Sequence, residues 1–297
     1  MSAPLDSPAE SPEADRRRDF GAIAIAYLAA FSAGALGIAL MSDAHPLARI
    51  LAADLAATLT LFAFARYHGN SSVFDASWSV IPIAIVAYFL AAYGVTARGL
   101  LIAIVVSIWG VRLTYNWARS FPGLHHEDFR YRDLKGRAGK LAPLVDLFAI
   151  HLFPSAIVFV SLMPAWLAIA SGTSGVTALA IFGAALSLLG VAIEAIADRQ
   201  LYEFNQQKAP GDLLDSGLFA RLRHPNYLGE ILFWWGLAFI GASAAPTSIW
   251  NYAGALSMSL MFAFYSIPAL DRRSLERRPG YAEYMKATPA LLPKLKR

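Results

Sequence analysis

The sequence predicts an all-α, polytopic membrane helix bundle of about eight transmembrane helices (seven or eight), with both termini cytoplasmic. Three observations carry that prediction. Of 297 residues, 57% are hydrophobic and only 15% are charged, against roughly 45–50% and 25% in a soluble domain. Nearly charge-free stretches recur at the ~20 residues that a helix rising ~1.5 Å per residue needs to cross a ~30 Å hydrocarbon core. The 25 Lys and Arg residues segregate to alternate connections, as the positive-inside rule requires. Composition also excludes a disordered or fibrous chain, and the absence of cysteine excludes disulfides, thiolate metal sites and thiol catalysis.

The elements follow in order. Residues 1–19, rich in Pro, Ser and acids and then basic, read as a disordered tail and topology anchor; residues 20–297 then form one transmembrane domain. Residues 20–41 carry no charge and exceed a signal-peptide core. The second span, 47–65, is interrupted by Arg49 and Asp54, so whether it fully crosses is open. The third, 73–93, has Asp75 near its start. The fourth, 99–118, is apolar until Arg112. The fifth, 143–170, contains Asp146, His151 and Pro154, which predicts a kink or tilt. The sixth, 176–197, carries Glu194 and the small residues Gly183 and Gly190, suited to close helix packing. Residues 228–245 and 249–270 form a hairpin. With this assignment 23 of the 25 Lys and Arg residues share the cytoplasmic face, and only Arg49 and Arg98 oppose them. The connections 119–142 and 198–227 therefore lie on the same side as the C-terminal tail.

Ionisable residues within spans are costly and are functional candidates by default. The string Arg221-Leu-Arg-His-Pro-Asn-Tyr-Leu-Gly-Glu230 opens the seventh span and puts Arg223, His224, Asn226, Tyr227 and Glu230 within two turns of a helix start. Pro225 suits a first helical turn. A helix N-terminus flanked by arginines is suited to an anion, although the arginines and Tyr227 would equally anchor a membrane interface. The fourth span ends in Arg112, Tyr115, Asn116 and Arg119, spaced by three and four on one helical face. Arg130 and Tyr131 follow in the next loop. Arginines, a tyrosine and amides suit a phosphate or nucleotide; a headgroup-facing basic stripe is the alternative. Glu194 and Asp198 stand at i and i+4. No HExxH, Walker or GxGxxG string occurs, and no metal site is expected.

Arg223-His-Pro-Asn-Tyr-Leu-Gly-Glu230 resembles the signature of the steroid 5α-reductase superfamily of membrane reductases. Phe74-Asp-Ala-Ser-Trp-Ser-Val80, Trp109-Gly-Val-Arg-Leu-Thr-Tyr-Asn116, Glu127-Asp-Phe-Arg-Tyr131, Asp198-Arg-Gln-Leu201, Gly217-Leu-Phe219, Trp234–Trp235 and Arg278-Pro-Gly-Tyr-Ala-Glu-Tyr284 resemble its bacterial branch, in order and spacing. The resemblance implies a helical membrane reductase that binds NADPH and saturates a carbon–carbon double bond conjugated to a ketone, on an apolar, steroid-like or lipid substrate taken from the bilayer. It implies cofactor contacts from Arg112, Asn116, Arg119, Arg130, Tyr131, Asp198, Arg223, His224, Asn226, Tyr227, Glu230 and Trp234. Where the steroid enzymes place a Gln-Glu pair and a Tyr to grip the ketone, this chain has Phe74-Asp75 and Trp109. Asp75 is then the candidate ketone-polarising acid, provided it is neutral, with Tyr115 next in line. Asp75 as a plain helix cap is equally open.

The shorter Arg-His-Pro-x-Tyr string also occurs in isoprenylcysteine and phospholipid methyltransferases. An S-adenosylmethionine-dependent membrane methyltransferase and a non-catalytic lipid-binding protein therefore remain as alternatives. Membrane lipids are expected neighbours in every case. Neither a nucleic acid nor a protein partner is implied.

Overall fold

The computed structural model describes residues 12–292; the predicted tail over residues 1–11 lies outside the described residues. Helix α1 (Pro12–Leu40) begins eight residues before the expected first span, so the basic stretch 16–18 is helical. Helix α2 (Pro46–His68) starts with Pro46 in its first turn and stops at Gly69, whose φ of 65° suits a residue without Cβ. It is 23 residues long and apolar enough to cross, so Arg49 and Asp54 do not break the second span.

The third span is not helical from its predicted start. Ser71–Phe74 form a 3₁₀ turn, Asp75 follows it, and α3 runs over Ser77–Tyr93. Helix α4 covers Ala97–Ser120. The long loop expected at 119–142 holds a short polar helix, α5 (Phe129–Ala138), capped by Asp128. A single turn, α6 (Ala142–Val145), leads into a π-helical turn at Asp146–Leu152, then α7 (Phe153–Ser161) and α8 (Met163–Ala170). The predicted irregularity near Pro154 is thus a π turn just before it, with a second break at Leu162 ahead of Pro164. Helix α9 (Ala178–Gln207) is capped by Thr177 and runs ten residues past the expected end of its span. Helices α10 (Pro225–Ala242), α11 (Trp250–Met261), α12 (Ile267–Arg277) and α13 (Tyr281–Ala287) complete the chain.

Among the described residues seven stretches are long and apolar enough to span a membrane: Asp15–Leu40, Pro46–His68, Ser71–Tyr93, Ala97–Ser120, Phe129–Ala170, Ala178–Gln207 and Trp250–Arg277. The expected span at 228–245 is the exception. Its helix, α10, has 18 residues, about 27 Å at ~1.5 Å each, but its first turns hold Pro225, Asn226, Tyr227 and Glu230. Much of α10 is buried by protein, so its surface need not match lipid.

Two compact units divide the chain. One takes the residues up to Asp75 together with Phe121–Phe153; the other takes Ala76–Ser120 and everything from Pro154. In the first, α1 and α2 pack through small residues: Gly34 and Gly37 lie against the backbone of Ala52 and Ala53. In the second, α9 and α10 come closest. A Cβ on Gly190 would run into the Gly229 carbonyl oxygen, and one on Gly236 into Ser187 and Gly183. Ser187 Oγ donates to the Phe233 carbonyl at 2.9 Å across this seam. Backbone approach of this kind replaces the hydrophobic drive that lipid removes.

Candidate functional site

In the first unit α5 lies along the 3₁₀ turn. Tyr131 and Lys135 are one helical turn apart, and so are the residues they meet, Asp75 and Ser71. The Tyr131 hydroxyl donates to Asp75 Oδ1 at 2.8 Å. Lys135 Nζ donates to Ser71 Oγ at 3.1 Å and pairs with Glu127. Glu127 Oε1 accepts the Ser71 amide at 2.7 Å, and Ser72 Oγ accepts the Asp128 amide at 3.1 Å. The network continues inward. Ser71 Oγ donates to Asp146 Oδ1 at 2.7 Å. The His151 Nδ1–H meets the Asp146 carbonyl at 2.9 Å, a contact formed across the π turn. Asp146 and His151 are buried, which accounts for two of the charged residues singled out in the fifth span.

This geometry bears on the helix-cap reading of Asp75. The residue preceding α3 is Ala76, with no side-chain cap hydrogen bond. Asp75 does not cap that helix; its carboxylate is turned to a phenol. Arg130, expected at the cofactor, is instead held by Asp128, its neighbour two residues back, at 2.9–3.0 Å.

In the second unit, α4, α9 and α10 build a buried polar cluster. Glu230 is 7% exposed, and each of its oxygens accepts one indole N–H: Oε2 from Trp109 at 2.9 Å, Oε1 from Trp234 at 2.8 Å. Phe233 stacks on Trp109 at 4.5 Å between centroids. Arg112 spreads its fork over two carboxylates on successive turns of α9, Glu194 Oε2 at 2.8 Å and Asp198 Oδ2 at 2.7 Å. Glu194 is also a neighbour of Glu230. Two carboxylates thus share one guanidinium, with Glu230 a neighbour of one of them. The i, i+4 spacing of Glu194 and Asp198 is explained by the single arginine that they share.

Further along α4, Arg119 donates to Asn116 Oδ1 at 2.8 and 3.0 Å and lies 4.5 Å over the Tyr202 ring. Tyr115 meets the polar face only through its ring, 5.7 Å from the Arg119 guanidinium. It is 65% exposed and continues the exposed apolar series Leu100, Ile104, Ile108 and Val111. That spacing of three and four marks the lipid-facing side of α4, where Tyr115 lies.

The Arg-His-Pro string divides. Glu230 and Trp234 belong to the α4–α9–α10 cluster, and Asn226 is half-buried one turn before Glu230. Arg223 and His224 serve a different structure. Asp271 on α12 accepts from Arg223 Nη2 at 2.8 Å, His224 Nε2 at 2.9 Å and the Tyr281 hydroxyl at 2.5 Å. Arg223 also donates to the Thr288 carbonyl at 2.6 Å, and the amides of Arg223 and His224 donate to the carbonyls of Pro289 and Ala290. Tyr227 stacks between His224 and Phe262. Tyr284 completes the latch by donating to the Phe219 carbonyl at 2.6 Å. Burial pushes the Tyr284 phenol up to about 12; burial, reinforced by Asp271, raises that of Tyr281 as well.

Sequence reasoning missed Asp271, which sits in polar, helix-ending surroundings where charge is ordinary, and gave Tyr281 no role beyond the string that contains it. It also missed that Trp109 is a hydrogen-bond donor. Among the described residues no three His, Asp or Glu side chains come together as a metal ligand set.

The chain is 28% identical over 259 residues to an uncharacterized protein of Schizosaccharomyces pombe, covering 76% of this chain and 73% of that one. It is 30% identical over 110 residues to the cobalt-zinc-cadmium resistance protein CzcN of Cupriavidus metallidurans, covering 37% of this chain and 49% of that protein. No solved structure matches. Residues 61–288 match the family described as protein of unknown function DUF1295, and the chain belongs to that family.

Proposed function

We propose that the protein is an NADPH-dependent membrane reductase that saturates a carbon–carbon double bond conjugated to a ketone, on an apolar, steroid-like or lipid substrate drawn from the bilayer, with its cofactor residues on the cytoplasmic side. The observation that carries this reading is the pairing of Asp75 with Tyr131. A ketone being reduced at its conjugated double bond gains negative charge on oxygen, and a positioned hydroxyl donor stabilises that charge. Tyr131 is such a donor. With Asp75 neutral, its O–H donates to Tyr131 Oη while Tyr131 donates onward, and a proton passes from Asp75 through the phenol to the substrate oxygen.

NADPH, when bound, supplies the hydride for the β-carbon. The polar residues of the second unit fit such a group in part. Arg112 Nε is buried and meets no acceptor among the described residues, so a phosphate oxygen would satisfy it. Glu230, fixed by two indoles, and Asn226 can accept from or donate to ribose hydroxyls or a carboxamide. Arg223 and His224 do not fit, because Asp271 and the tail carbonyls already take their donors. We assign cofactor contacts to Arg112, Asn116, Arg119, Asn226, Glu230 and Trp234.

One observation favours a second reading. Carboxylates outnumber guanidiniums around Arg112, and an acidic surround suits a cation such as the sulfonium of S-adenosylmethionine. Fluorescence separates the two readings, because Trp109 and Trp234 both touch Glu230. NADPH should quench tryptophan emission of the purified protein, and S-adenosylmethionine should not. Turnover of 3-oxo-Δ4 steroids and simple enones with NADPH, read by mass spectrometry, then tests the reaction. Quenching by S-adenosylmethionine alone overturns the reductase reading.

A further inference from the structure

At the end of α4 opposite to Arg112 and Arg119, about 20 to 30 Å away at ~1.5 Å per residue, Arg98 is buried to 3% exposure. Its donors meet only neutral groups. Nη1 donates to Thr173 Oγ1 at 2.6 Å and Nη2 to the Gly175 carbonyl at 2.5 Å. Nε is buried and finds no acceptor, and no carboxylate pairs with this guanidinium among the described residues. A buried guanidinium without a counter-charge is costly.

The backbone around it adds positive potential. Arg98 sits in the first turn of α4, where Thr96 Oγ1 accepts the Gly99 amide. Gly175 lies two residues before Thr177, which caps the 30-residue α9. The positive ends of two long helices therefore meet at a buried cation, against the usual preference for acids there. The carbonyl end of α8 offsets part of this through the same loop. That loop, 171–177, is exposed at every residue and is made of Ser, Gly, Thr and Val. Ser171 Oγ and Thr173 Oγ1 are bonded at 2.9 Å.

We propose that this corner binds a phosphate group, with Arg98 supplying the fork, Thr173 holding the guanidinium in place, and the hydroxyls of Ser174 and Thr177 the remaining donors. Arg98 Nε together with an Nη presents two parallel N–H groups, the geometry that matches two phosphate oxygens. The ligand is either a phospholipid headgroup or a free phosphate, since both offer the same oxygens at a membrane edge.

Thermal unfolding of the full chain, followed by tryptophan fluorescence, tests the proposal. The protein is placed in phosphate-free maltoside micelles, in the same micelles with added phosphatidylglycerol, and in the same micelles with inorganic phosphate at constant ionic strength. The midpoint should rise in at least one anionic condition: with phosphatidylglycerol only if the ligand is a headgroup, with inorganic phosphate if it is the free ion. Arg98→Gln should lose at least tenfold in the affinity read from the phosphate or phosphatidylglycerol titration. Thr173→Ala, which keeps the guanidinium but removes its anchor, should weaken it by a smaller factor and serves should Arg98→Gln fail to fold. Equal midpoints in all three conditions for the wild type, or an increment that survives both substitutions, overturns the proposal and leaves Arg98 as a clamp on the loop alone.

Discussion

Glu230 shows how much one side chain can be committed before any ligand arrives. Both of its oxygens face indole N–H donors, and Glu230→Gln turns an amide N–H against one of them. Leaving a buried donor unpaired costs ~1–3 kcal/mol; cofactor affinity should fall about tenfold and tryptophan emission should shift, as read by titration. For the proton path, Asp75→Asn and Tyr131→Phe keep shape and lose the transferable proton. Each should lower turnover by at least ~100-fold, the usual scale of acid–base help, with NADPH affinity unchanged. Wild-type turnover in both would remove Asp75 and Tyr131 from the chemistry. Arg112→Gln strands Glu194 and Asp198, and a broken buried pair costs ~3–5 kcal/mol; Arg112→Lys should restore little, because a point charge cannot span two carboxylates. Thermal melts of the two variants check this. Asp75, Arg112 and Glu194 were legible in the sequence because charge inside an apolar run is conspicuous. Their partners were not: Tyr131 lies 56 positions from Asp75, and Asp198 lies 86 from Arg112, and hydropathy carries no information about which distant helix a side chain meets.

At the scale of elements, length and hydropathy located the membrane helices to within a few residues at many ends. They failed where a helix is shielded by protein or where polar caps extend it. Helix α10 falls below the hydropathy of a span because its start serves the cluster and the latch. Helix α9 outruns its apolar stretch because Asp198 and the turns beyond it are polar but still helical. The 3₁₀ start of the third span was invisible to periodicity, since four residues are too few to show one. The seam between α9 and α10 was legible in Gly183 and Gly190, and it is sensitive. Gly190→Leu pushes a side chain into the Gly229 carbonyl and the Phe233 amide. Overpacking of a tight contact typically costs ~1–3 kcal/mol, and here it also tilts Trp234 away from Glu230. The melting midpoint should fall and cofactor affinity with it, whereas Gly21→Ala, with nothing within 4 Å of the added carbon, should leave both unchanged.

For the whole molecule, the latch around Asp271 sets a limit in alkaline solution. The Tyr284 and Tyr281 phenols are held above their ordinary value by burial. A group whose folded value is raised contributes stability that is intact below its unfolded value, ~10 for tyrosine, and is lost as pH rises through the folded one. Between about pH 10 and 12 the tail should therefore release. Proteolysis near residue 278 should accelerate over that window, while the helices upstream keep their circular dichroism. The tail also fixes an order of events. Arg223 and His224 open α10, yet their amides and one Arg223 Nη are satisfied by residues 288–290. Chains fold from the N-terminus as they are made, so the ribosome must finish residue 290 before Arg223 and His224 can take their final shape. A nascent chain halted at 277 would enter the membrane with its helices largely placed and the start of α10 still unfastened.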